Sequence, residues 1–175
     1  TDVYDLKKGL LVKTVADLKT KIDAMKDNVT GKTINLTPGV DMGEVFVGTE
    51  KSDIYYSLDA LIPSTLAQKE TWTTGDTLDG KEGNDILNIQ TGIAMVNPTL
   101  NLTSIETVNV KSAVPLTLNG SNWEGTNTLN VTQATTSADL IAAATTDVNV
   151  SGVTGTVDVD GGKNVNVTVA DTGTN

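Results

Sequence analysis

The residues best suited to chemistry lie in one acidic, glycine-rich turn, Gly75-Asp-Thr-Leu-Asp-Gly-Lys-Glu-Gly-Asn-Asp-Ile-Leu-Asn-Ile89. From Gly80 it fits the nine-residue calcium-turn pattern G-G-x-G-x-D-x-U-x, with Lys81 in place of the second glycine. Glycines allow a sharp turn that aims carbonyl oxygens inward, and an aspartate adds the hard anionic oxygen that Ca2+ prefers. On this reading Asp85 is the principal ligand, Gly80 and Glu82 supply carbonyls, and Gly83 permits the bend. Asp76 and Asp79, in the preceding turn, reach the same ion or an adjacent one. A degenerate copy runs from Gly48 to Tyr56, where Gly48 and Asp53 keep the five-residue offset of Gly80 and Asp85. Asp53, Gly48 and Glu50 are the equivalent set, with Asp41 close by if the two copies stack. Aspartate and glycine also gather in plain turns, because Asx turns and positive φ need them. Asp158 and Asp160-Gly161-Gly162 suit the plain turn better, since the rest of the motif is missing there.

Other chemistries are excluded by composition. The chain has no Cys and no His, which removes Cys/His zinc sites, thiol nucleophiles and His-based triads. Acids are plentiful, so a glycosidase-like pair could always be nominated, but no motif marks one and aromatics make up 3% of residues. An enzyme is therefore not expected. The net charge of −10 is uneven. Residues 1–32 hold seven lysines and five aspartates, and residues 33–175 hold five lysines and 17 acids. An acidic body repels nucleic acid and suits divalent cations. No run of 18 apolar residues suggests a transmembrane segment. The start at Thr1 suggests a piece of a longer protein.

The elements that must position the turn are mostly strands. An apolar–polar–apolar triplet recurs at Leu87-Asn-Ile89, Val108-Asn-Val110, Leu129-Asn-Val131, Val148-Asn-Val150, Val157-Asp-Val159 and Val165-Asn-Val167. Leu100-Asn-Leu102 and Leu116-Thr-Leu118 fall between them. Alternation is the strand period. The central residues lie 21, 21, 19, 9 and 8 apart, the rhythm of stacked rungs with half-rungs between. An antiparallel sandwich also uses short alternating strands. The regular recurrence favours a right-handed parallel β-solenoid, in which Asn at equivalent places forms ladders. Seven Asn-x-Ser/Thr triplets follow from the same composition and need no sugar to explain them.

The remaining segments are read as follows. Residues 2–28 carry a helical apolar stripe through Leu11, Val15, Leu18, Ile22 and Met25, which predicts an N-terminal α-helix. Residues 33–37 and 44–48 read as strands around a Pro38-Gly39 turn. Residues 57–72 read as an insertion with a short helix around Leu58 to Leu61 and a loop past Pro63. Residues 135–146 read as an interruption, with Ser137 capping a helical turn. Two segments result: a helical segment, 1–32, and a β-solenoid, 33–175.

These blocks together resemble a known family. Thr33-Ile-Asn-Leu-Thr-Pro-Gly-Val-Asp41, Val47-Gly48-Thr49 to Asp53, Gly75 to Ile89 and Ser104-Ile-Glu-Thr-Val-Asn-Val110 occur in the order seen in RTX-type bacterial surface-layer (S-layer) proteins, similar to those of Caulobacter and Campylobacter. The resemblance extends over residues 33–170. It implies type I secretion to the cell surface and a fold ordered by Ca2+. It also implies self-association into a two-dimensional lattice, with attachment to lipopolysaccharide through an N-terminal helical region. The alternative reading is a calcium-stiffened segment of a large type I-secreted RTX adhesin, whose vocabulary is similar.

Overall fold

Each strand of this chain is too short to be stable alone, so its backbone and its apolar face must be completed by neighbours. The computed structural model describes Lys19, residues 31–94 and residues 98–168. Among the described residues the strands are β1 (Thr33–Asn35), β2 (Ile54–Leu58), β3 (Ala60–Ile62), β4 (Ala67–Lys69), β5 (Thr77–Asp79), β6 (Ile86–Thr91) and β7 (Asn101–Thr103). They continue with β8 (Thr107–Ser112), β9 (Leu116–Gly120), β10 (Thr128–Gln133), β11 (Ser137–Ala142), β12 (Asp147–Ser151), β13 (Thr156–Gly161) and β14 (Asn164–Thr168).

The main wall is a seven-stranded parallel sheet in the order β1-β2-β6-β8-β10-β12-β14. Successive turns of chain lie directly on one another, and the result is a parallel β-solenoid. Register partners along this wall are 21, 32, 21, 21, 19 and 17 residues apart. The 32-residue turn is longer because it holds the extra β3–β4 hairpin. The opposite side is built from β9, β11 and β13, and from the β5–β7 pair, which Val47 and Glu124 extend by single bridges. Val157-Asp-Val159 belongs to β13 on that opposite side. This explains the short spacings of 9 and 8, which are two half-turns of one coil.

In-register stacking places like residues on like. One inward column runs Ile34, Tyr55, Leu87, Val108, Leu129 and Val148, and a second runs Ile89, Val110, Val131 and Val150. All of these are buried. A one-residue slip would turn both columns outward, so the interior fixes the register. On the outer face Asn109 Nδ2 donates to Asn88 Oδ1 at 2.9 Å, Asn130 to Asn109 at 2.9 Å and Asn149 to Asn130 at 3.0 Å. Trp72 and Trp123 pack with ring centroids 6.0 Å apart and add the largest side chains to the core.

Three segments differ from the sequence-based expectation. The helix expected around Leu58 to Leu61 is instead the antiparallel β3–β4 hairpin, pairing Ala60 with Lys69 and Ile62 with Ala67. Its turn follows Pro63, whose fixed φ favours a turn, and is closed by Leu66 N–H donating to the Ile62 carbonyl at 2.8 Å. The helical turn expected after Ser137 is strand β11. Ala138, Leu140 and Ala142 alternate inward there, and pairing with β9 and β13 overrides the helical preference of alanine. Of residues 44–48, Glu44–Phe46 form a 3-10 turn after Gly43, whose φ is 83°, and Val47 alone makes a bridge. The helix expected over residues 2–28 lies outside the described residues, Lys19 excepted. Among the described residues no helix is long and apolar enough to cross a membrane.

Truncating a residue in the inward column should be costly. Leu129→Ala is expected to lower unfolding free energy by about 2–5 kcal/mol in urea titrations. Thr117→Ala, on the exposed face of β9, should change it by less than about 0.5 kcal/mol. Equal effects would contradict the stacking.

Candidate metal centre

The acidic turns lie at one corner of the coil, where backbone from successive rungs comes closest. Gly48 stacks on Gly80, and Gly80 on Ser104, through Gly48 N–H to the Asp79 carbonyl (2.7 Å) and Gly80 N–H to the Thr103 carbonyl (2.9 Å). A side chain at Gly80 would overlap the Ser104 carbonyl oxygen and the Asp85 carboxylate, so this column requires glycine there. The Asp79 carbonyl also accepts the Tyr55 hydroxyl at 2.9 Å.

Beside the glycines runs a column of carboxylates. Asp85 Oδ1 accepts the Asp53 N–H at 2.6 Å, and Glu106 Oε2 accepts the Asp85 N–H at 2.7 Å. Asp53 in turn accepts the Lys32 N–H, and its Oδ2 accepts the Thr49 N–H at 2.6 Å. Each acid thus reaches back one turn and satisfies a backbone donor that the strands leave unpaired at the corner. A second pair is built the same way: Asp76 Oδ1 accepts the Asp41 N–H at 2.9 Å. Asp76 Oδ2 also takes the Thr73 N–H at 2.8 Å, and Asp41 Oδ2 the Thr37 N–H at 2.7 Å.

The ten residues singled out in the sequence therefore separate into groups. Gly48 and Gly80 stack, as do Asp53 and Asp85, and Asp41 pairs with Asp76. Asp79 is half-buried and ion-pairs with Lys81 at 2.8 Å. Glu50 and Glu82 are exposed. Gly83, with φ 130°, lies against the Lys51–Ser52 backbone, close enough to exclude a side chain. Glu106 was not among the ten. Its signal was the rung interval, since it follows Asp85 by 21 residues.

Asp85 differs from its column neighbours in one atom. It is fully buried, and its Oδ2 has no hydrogen-bond partner. In the rung of Asp53 the equivalent oxygen takes the N–H of Thr49. In the rung of Asp85 that place falls to Lys81, whose φ of 73° turns its N–H to Asp79 Oδ1 at 3.0 Å. Burial, with the charges of Asp53, Glu106 and Asp79 nearby, pushes the Asp85 carboxyl up to about 6, against the bond from Asp53 N–H. Burial also raises Asp76, and raises the Tyr55 hydroxyl far above its ordinary value.

A calcium ion takes six to eight oxygens. The buried oxygens of Asp41, Asp53 and Asp76 already hold N–H or hydroxyl donors, so of these four aspartates only Asp85 keeps a buried oxygen without a donor. Among the described residues no three acidic side chains converge on one point. Of these acids Asp85 alone has a carboxylate oxygen free for a cation, and among the described residues no two further acids join it. No family model matches this chain, and no curated protein matches it.

Asp85 makes stability depend on pH in a known direction. Its carboxyl holds a proton more tightly folded (about 6) than unfolded (3.8). Its favourable contribution is complete below the unfolded value and is lost as pH rises through about 6. In chelator, the melting temperature of the wild-type chain should therefore fall more steeply between these two pH values than that of Asp85→Asn. Parallel melting profiles would show that Asp85 is not the strained group.

Proposed function

We propose that this chain is a structural module of a bacterial surface layer: a calcium-stiffened, right-handed, RTX-like coil that associates with copies of itself in a two-dimensional lattice. The observation that supports this reading is the acidic, glycine-lined corner of an in-register parallel coil, where Asp53, Asp85 and Glu106 stack. Val165 and Val167 on β14 continue the two inward columns, yet they are 47% and 39% exposed, where Val148 and Val150 one rung earlier are 0% and 2% exposed. Among the described residues β14 pairs with β12 alone, so its far edge and these two valines are where a further strand would add. The resemblance of the Gly75–Ile89 and Ser104–Val110 blocks to S-layer proteins supports the same role.

In this reading calcium occupies the corner at Asp85, drawing on Asp85 Oδ2 and on carbonyls such as those of Gly80 and Glu82, with Gly83 allowing the bend. Neutralising the buried carboxylate would relieve the charge crowding among Asp53, Asp85 and Glu106, which links metal binding to stability. The protein is secreted and lies on a Gram-negative cell surface. Residues 1–32 would attach it to lipopolysaccharide.

Thermal unfolding with and without millimolar calcium, together with electron microscopy of the same samples, tests the proposal. Calcium should raise the melting temperature and produce ordered sheets. Asp85→Ala should lose most of the thermal response, and Val165→Lys with Val167→Lys should abolish sheets while leaving that response intact. A chain that stays monomeric in calcium but still gains stability would point to the adhesin segment instead. An unchanged melt would remove calcium from the account.

A further inference from the structure

The outer face of the main wall carries a groove that neither calcium nor lattice contacts explain. It consists of two adjoining depressions of about 560 Å³ and about 320 Å³, which share Leu58, Gln90 and Lys111. The floor is formed by β2, β6 and β8, with Thr132 and Gln133 of β10 at one end, and two outward columns line it. One is Tyr56, Asn88 and Asn109, and the other is Leu58, Gln90 and Lys111. Gln68 on the β3–β4 hairpin and Asp59 just before it form one side.

The chemistry of this surface is that of rigid amides. The ladder bond between Asn109 and Asn88 uses one N–H of the first and one lone pair of the second. Each side-chain amide has two N–H donors and two acceptor lone pairs, so each keeps capacity beyond the ladder. Stacking repeats these groups every ~4.8 Å along the groove. Because the ladder holds the amides, binding costs them little entropy. The exposed Leu58 and half-buried Tyr56 supply apolar surface beside the amides.

Three features select the ligand. The floor strands are paired on both sides, so a peptide cannot bind here by adding a strand. The groove carries one lysine and one aspartate, and Asp59 Oδ2 already accepts the Gly92 N–H at 2.6 Å. The chain as a whole bears −10, which repels polyanions. A ligand that presents many hydroxyls, alternates them with apolar C–H faces and repeats along its length fits all three. We propose that the groove over β2, β6 and β8 binds a neutral polysaccharide chain. This site is independent of the calcium corner and of the β14 edge.

Affinity electrophoresis tests it, with dextran, mannan, amylose or laminarin cast in the gel and dextran sulfate as the polyanion control. At least one neutral polysaccharide should retard the wild-type chain, and dextran sulfate should not. Gln90→Ala with Lys111→Ala, both on the sheet surface, should weaken retardation about tenfold, as expected when two hydrogen bonds are lost. Thr117→Ala on the far side should leave it unchanged. Gln68→Ala, on the hairpin outside the main wall, gives a second reading should the double variant melt early, and should also weaken retardation. Migration unaffected by any neutral polysaccharide would overturn the proposal. So would retardation that persists in the groove variants, or that is stronger with dextran sulfate.

Discussion

The structure depends on one constraint: parallel strands of three to six residues must lie in register on their equivalents one turn away. A parallel ladder leaves no strand able to satisfy its own backbone, and each residue's neighbour on the next rung is fixed by the length of the turn between them. Where turns are 21 residues long, valine meets leucine and asparagine meets asparagine without adjustment. Where the turn is 32 residues long, the surplus leaves the coil as a hairpin and the register is kept. The interior then needs few aromatics, because branched aliphatic residues stacked at strand spacing fill it.

Corners are the weak points of such a coil, because the backbone donors there face no strand partner. The chain meets this with carboxylates that reach back one turn, in the column Asp53, Asp85 and Glu106 and in the pair Asp41 and Asp76. These acids therefore have a structural role that requires no ion. The exception is the second oxygen of Asp85, left without a donor because Lys81 adopts a left-handed conformation in place of the pattern's second glycine. Later corners need no such acid: the Asn127 N–H finds the Glu106 carbonyl at 2.9 Å, and Thr126 and Thr146 donate their hydroxyls to the Ile105 and Thr126 carbonyls at 2.9 and 2.8 Å. Charge crowding is thus confined to the N-terminal rungs.

Much of the coil was legible in the sequence, because its repeat is carried by strict alternation around asparagine. Every apolar–polar–apolar triplet from Leu87 onward is a strand or part of one, save that Leu100 precedes β7. The shared five-residue offset marked Gly48–Asp53 and Gly80–Asp85 as two copies of one turn, and the structure stacks Gly48 on Gly80 and Asp53 on Asp85. Segments with weaker patterns were misread. In β11 the inward positions are Ala138, Leu140 and Ala142, and alanine carries a helical preference that only the neighbouring rungs defeat. Around Leu58 to Ile62 a short apolar run has no period of its own, and its hairpin is decided by Pro63. Glu106 escaped notice because its acid is one methylene longer than the motif allows, although the rung interval pointed to it. The groove could not be foreseen, since it is defined by where the hairpin folds relative to the sheet.

In-register stacking is tested most directly by cross-linking. The chain has no cysteine, so introduced pairs report without background. Asn109 and Asn130 are register partners on β8 and β10, whereas Asn88 and Asn130 lie two rungs, about 9.6 Å, apart. That second distance exceeds what a disulfide can span. Under mild oxidation Asn109→Cys with Asn130→Cys should form an intramolecular disulfide, and Asn88→Cys with Asn130→Cys should remain reduced. The reverse pattern, or cross-linking of neither pair, would contradict the coil.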